Sequence, residues 1–193
     1  MATLIMLNIG AMAASLVPLA FIKKPTDPMK QTSISIGVGN GGSVPHVAIW
    51  GEDGAQISQF KGAANGHTHK GETWQTVVGD YQNGMRPANP TYVSVVIHEN
   101  DAICVAAISV SGNGQQWIWI ADMASFCGAQ WMESDYTFQG SNSPMRCAWI
   151  DAYHTNNIIA KRMSMHIQDF TGDPGCCGNV RRTQIDCARI AEG

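Results

Sequence analysis

The stretch that most narrows what this chain can fold into is residues 103–110, ICVAAISV, which are apolar at nearly every position. Turn-forming residues bound it on both sides, Glu99-Asn100-Asp101 before it and Ser111-Gly112-Asn113-Gly114 after it. Asn113-Gly114 supplies the positive φ angles that a two-residue hairpin turn requires. An apolar run of this length between turn signals fits a strand buried on both faces, in the middle of a packed sheet. Upstream, Val93, Val95 and Ile97 alternate with Ser94, Val96 and His98; downstream, residues 115–120 form a third run. These spacings predict three consecutive strands in a meander, leading to an aromatic, cysteine-bearing corner that ends at Trp131.

Other segments repeat the period-two pattern. Residues 32–38 alternate polar and apolar as a half-buried strand does, and residues 47–50 and 56–60 flank Gly51-Glu52-Asp53-Gly54 as a hairpin. Residues 73–79, 145–152 and 161–170 are also strand-like, and residues 183–191 could close as a short helix. About eight or nine strands with frequent turns predict an all-β fold, an antiparallel two-sheet sandwich of jelly-roll or similar type. The expected organisation is a targeting segment over residues 1–20, the sandwich over 32–170 and a cysteine-containing tail over 171–193.

Composition agrees with this. Charged residues make up 14% of the 193-residue chain and glycines number 20, a mix that suits short strands and many turns. The net charge of −3 leaves no clustered cationic surface for phosphates, so nucleic acid is not an expected partner. The N-terminus resembles a secretory signal peptide, with small residues Ala11 and Ala13 at the spacing a signal peptidase accepts. Its apolar run is too short to span a bilayer, so no transmembrane segment is expected.

Cys104, Cys127, Cys147, Cys176, Cys177 and Cys187 form an even set without zinc-knuckle spacing, which points to disulfides and an extracellular location. Adjacent Cys176 and Cys177, with Cα atoms about 3.8 Å apart, are too close to pair with each other. One of them joined to Cys187 would close a small C-terminal loop, leaving the other to tie the tail to the sheet. Cys104 as a buried free thiol is the alternative.

The succession TWQTVVGDY, YVSVVIHEN, ICVAAISV, GQQWIWIAD and FCGAQW resembles sandwiches of the PLAT type over residues 73–131, which implies a lipid- or protein-binding β-sandwich. The calcium-binding acidic set of some PLAT domains has no residue-by-residue match. Most of residues 47–170 is also similar to small cysteine-containing secreted proteins of filamentous fungi that have no well-defined activity, which implies an extracellular location.

Three constellations bear on chemistry. His67 and His69, two residues apart, would share a strand face, as a metal needs, and Glu72 follows in a near miss to the cupin motif. On a strand, however, Glu72 falls on the opposite face, so the expected reading is a solvated loop, with no metal and no other cofactor. Trp117 and Trp119 point to one face of their strand while Gln116, Ile118 and Ile120 point to the other, so the indoles are either core or an exposed platform. Exposed indoles would stack on the C–H faces of sugars. Trp50, Trp74 and Trp149 are read as core. Among the acids Glu99, Asp101, Asp122, Glu133, Asp135 and Asp151, the three at 122–135 flank the aromatic corner, and Asp101 suits a turn. Neither a GxSxG elbow nor a Cys–His arrangement offers a nucleophile.

The expectation is a secreted binding protein without chemistry of its own. Trp117, Trp119 and Trp131 would form the aromatic platform, Gln115 and Asp122 would be hydrogen-bonding neighbours, and the ligand would be carbohydrate or another cell-surface group. The alternatives are a small extracellular glycoside hydrolase using the acids near 122–135, and a secreted effector whose partner is another protein.

Overall fold

A computed structural model describes residues 8–9, 31–79, 90–112, 114–137 and 142–170. The strands are β1 (Asn8–Ile9), β2 (Thr32–Asn40), β3 (His46–Trp50), β4 (Gln56–Phe60), β5 (Thr73–Val78), β6 (Tyr92–Val96), β7 (Ile103–Gly112), β8 (Gln115–Ile120), β9 (Trp131–Thr137), β10 (Pro144–Ile150) and β11 (Arg162–His166). One short helix, α1 (Asp122–Phe126), follows β8. The expected targeting segment lies outside the described residues apart from Asn8–Ile9, and the tail 171–193 lies wholly outside them.

Two antiparallel sheets face each other. One has seven strands in the order β1-β9-β10-β7-β2-β5, with β8 paired to β7; the other has four, in the order β11-β6-β3-β4. The two-sheet, all-β architecture is therefore as the alternation predicts. β7 is the spine of the large sheet. One of its edges pairs with β2, while the other is shared, Ile103–Val105 with β10 and Ala107–Gly112 with β8. Both faces of β7 are covered as well, Ile103, Val105, Ile108 and Val110 by the main core and Cys104, Ala106 and Ala107 by a second one, which is why residues 103–110 read as a continuous hydrophobic run.

The predicted meander holds only in part. β7 and β8 form a hairpin, but β6 belongs to the other sheet, between β11 and β3. Glu99-Asn100-Asp101 is thus a crossing between sheets rather than a turn between paired strands. Asp101 is anchored in it: its N–H donates to the Ser43 hydroxyl at 3.2 Å, and its carbonyl accepts the Ser43 N–H at 3.1 Å.

The main core fills the space between the sheets. Ile34, Ile36, Val38, Val105, Ile108 and Val110 from the large sheet meet Val47, Ile49, Val93, Val95, Met163 and Met165 from the small one. A second, smaller core lies on the other side of the large sheet and contains Cys104, Ala106, Ala107, Tyr136, Met145 and Cys147. It exists because that sheet curls. Register shifts interrupt the pairing of β2 with β7 and of β9 with β10, and such bulges sharpen the twist. Tyr136 of β9 comes to lie over Gly37 of β2 and donates its hydroxyl to the Glu72 carbonyl at 2.7 Å. Burial, against the hydrogen bond from Thr73, pushes the Tyr136 phenol above its ordinary pKa.

A disulfide joins Cys104 of β7 to Cys147 of β10 inside this second core, so Cys104 is not a free thiol. Cys127 is also disulfide-bonded. Cys176, Cys177 and Cys187 lie outside the described residues. Gly39 packs against the disulfide so tightly that a Cβ there would sit 2.5 Å from the Cys147 sulfur. Close packing thus accounts for a glycine at this position near the end of β2.

Candidate functional site: an aromatic corner around Arg146

The expected platform is divided by the fold. Trp117 and Trp119 pair across from Val110 and Ile108 and share their face, which is the core face. They are 2% and 8% exposed, so neither offers a ring to a ligand. The turn Ile167–Phe170, which follows β11, packs against β8, and Ile167 shares the main core with both indoles, so of the two alternatives the alternation left open, the fold selects burial. Gln115 is exposed but begins β8 at its hairpin end, roughly 20 Å of strand away from Asp122. Trp74 packs on the main core with Phe60, Trp149 packs on the second core and Trp50 is half-buried.

Trp131 is different: it is 46% exposed at the start of β9. β9 contributes no side chain to the main core, and beyond the reach of the small sheet α1 takes up that face instead. Within α1, Ala124 turns into the core while Phe126, two residues on and so on the far side of a helical turn, is 75% exposed. Between the two rings lies Arg146 of β10. Its guanidinium carbon is 4.2 Å from the centre of the Trp131 ring and 6.0 Å from that of Phe126, within cation–π range.

Arg146 is held in this position from α1. Its backbone N–H donates to the Asp122 carboxylate at 2.9 Å, and its Nη1 donates to the Ser125 hydroxyl at 2.9 Å. Ser125 in turn donates to the Asp122 carbonyl at 2.7 Å. Glu133, exposed, is the cross-strand partner of Arg146. The corner therefore combines two open aromatic rings, a guanidinium and two carboxylates. Of the expected residues it brings together Trp131 and Asp122. Phe126 and Arg146 were not singled out in the sequence, because twenty residues separate them and only the packing of α1 on β10 joins them.

The remaining acids are dispersed. Asp135 pairs with Lys70 at 3.0 Å, and Asp101 lies 3.5 Å from His67. Asp151 is buried and structural: its carboxylate accepts the Tyr153 N–H at 3.1 Å, the Thr155 N–H at 2.6 Å and the Thr155 hydroxyl at 2.5 Å. Burial opposes its ionisation, but the bonds from Thr155 and the two backbone donors hold its pKa below the ordinary value.

The cupin-like set does not assemble. His67 and His69 meet edge to face at 5.6 Å, while the Glu72 carboxylate accepts the His69 backbone N–H at 2.7 Å and so closes a local turn. Among the described residues no three His, Cys, Asp or Glu side chains are placed to hold a metal ion. A second histidine pair, His46 and His98, lies 4.4 Å apart. Burial and then the neighbouring His98 hold the His46 pKa below its ordinary value, with Glu99 opposing and Lys61 reinforcing.

Fold and corner together define a disulfide-bearing antiparallel β-sandwich with an open aromatic–guanidinium surface. In comparisons with known proteins, no family model and no curated protein matches the chain. Among the described residues no helix is long and apolar enough to cross a membrane.

Proposed function

We propose that this is an extracellular binding protein without catalytic chemistry, whose ligand is carbohydrate at a cell wall or cell surface and whose contact surface is the Phe126–Arg146–Trp131 corner. The observation that carries this reading is the pair of exposed rings flanking one guanidinium. Large aromatic side chains are usually buried, and an indole face matches the apolar C–H face of a sugar ring. The Arg146 donors and the Asp122 and Glu133 acceptors would fix the orientation of the hydroxyls around that face. The buried Cys104–Cys147 bond supports an oxidising, extracellular setting. One Asp122 oxygen is committed to the Arg146 amide, which suits orientation better than the proton transfer a hydrolase requires.

A second reading, a secreted effector that docks on another protein, is favoured by the same composition, since Trp and Arg dominate protein interfaces energetically. The deciding experiment is retention on immobilised polysaccharides. Wild-type protein should be retained, and Trp131→Ala should elute in the void with its unfolding temperature nearly unchanged. Equal retention of the variant would remove the corner as the binding surface.

A further inference from the structure

We propose, building on the carbohydrate reading, that the binding surface continues from Trp131 onto the loop of residues 151–160, and that its occupant is an extended, uncharged glycan chain rather than a single sugar. The loop is built to hold a fixed shape. His154, Asn156 and Asn157 have φ values of 55°, 53° and 63°, left-handed conformations that non-glycine residues rarely adopt. Such strain persists only where the surroundings impose it. Here they do: the buried Asp151 carboxylate grips Tyr153 and Thr155 from inside, and the His154 ring nitrogen bonds the Ile158 carbonyl at 3.1 Å.

This bracing presents Tyr153, 61% exposed, together with exposed Ile159. Gln130 connects the loop to the aromatic corner. Its side-chain amide donates to the Asn157 carbonyl, its Oε1 accepts the Ile159 N–H at 3.2 Å, and its carbonyl accepts the Trp149 N–H at 2.9 Å. Gln130 immediately precedes Trp131, so the loop and the corner lie within one side chain's reach. Separate apolar groups on the corner and on a loop joined to it through Gln130 fit successive rings of a polymer, each ring meeting its own face.

Charge selects the kind of chain. Among the described residues the corner carries one guanidinium, Arg146, and two carboxylates, Asp122, which accepts the Arg146 backbone N–H, and Glu133, its cross-strand neighbour, so an anionic glycan would meet two like charges there. The loop adds hydroxyl and amide groups from Tyr153, Thr155, Asn156 and Asn157, and its one carboxylate, Asp151, is buried. Hydroxyl groups of neutral sugars, which both donate and accept, match this surface.

The test is calorimetric titration of the full chain with cello-, chito- and manno-oligosaccharides as disaccharide and hexasaccharide, with hexagalacturonate as the anionic counterpart. For at least one neutral series, the wild type should bind the hexasaccharide roughly tenfold more tightly than the disaccharide. Tyr153→Ala should erase that gain and leave disaccharide binding unchanged, Tyr153→Phe should keep it, and Trp131→Ala should weaken both. Hexagalacturonate should bind more weakly than the neutral hexasaccharide. If Tyr153→Ala binds the hexasaccharide as the wild type does while Trp131→Ala does not, the extension is overturned and the corner stands. Preference for galacturonate overturns the uncharged chain. Failure of the wild type to bind any oligosaccharide overturns both readings and leaves the protein-partner alternative.

Discussion

Trp117 and Trp131 show how far apart two tryptophans can stand in role on one sheet. Trp117 is sealed in the main core, and its indole N–H is buried without a hydrogen-bond partner among the described residues. An orphaned donor of this kind costs about 1–3 kcal/mol, which the burial of the ring has to outweigh. Trp117→Ala should therefore lower stability by about 3–5 kcal/mol through cavity formation, and Trp119→Ala should behave similarly. Trp117→Phe should be milder, because it also removes the orphaned donor. Trp131→Ala gives up an exposed cation–π contact and should change stability by no more than about 1 kcal/mol. Chemical denaturation of the four variants separates these outcomes, and an inert Trp117→Ala would contradict the packing described above.

At the scale of elements, the loop of residues 151–160 depends on one ionised group. Asp151 has a lowered folded-state pKa, so it contributes stability that is fully present above the unfolded value of about 3.9 and is lost as pH falls through the folded value. Hydrogen exchange of the Tyr153 and Thr155 amides should thus be slow near neutrality and should accelerate in acid relative to the core amides of β7. Asp151→Asn, neutral at every pH, should lose that local acid dependence. β9 is the element whose sequence concealed it. Met132, Ser134 and Tyr136 face the second core while Trp131, Glu133 and Asp135 are exposed. Because Ser134 is the middle inward residue, the segment has the polarity of a loop. Its burial is satisfied by a hydroxyl bond to the Met145 carbonyl at 2.7 Å, a partner that only the fold supplies.

For the whole molecule, the covalent cross-link sets part of the stability. Cys104 and Cys147 are 43 residues apart in sequence, and closing a loop of that size in the unfolded chain corresponds to about 4 kcal/mol on the chain-entropy account. The Cys104→Ala/Cys147→Ala double variant should be destabilised by roughly that amount in denaturant titration. Both sulfurs are buried, so a thiol reductant should attack this bond only as fast as the domain opens. Reduction much faster than global unfolding would contradict the second core.

Period-two alternation and turn chemistry were sufficient for the all-β class, for the β3–β4 and β7–β8 hairpins and for the doubly buried β7, because side-chain polarity along a strand records which of its two faces is dry. The same alternation says nothing about which strand lies alongside, so the placement of β6 in the small sheet and the curl that brings β9 over β2 were decided by tertiary packing. Nor does it say which dry face the indoles of β8 occupy, or that Phe126 and Arg146 would meet. Those facts depend on where a four-stranded sheet stops covering a seven-stranded one and a single helical turn takes its place, a matter of area and shape that no local pattern encodes.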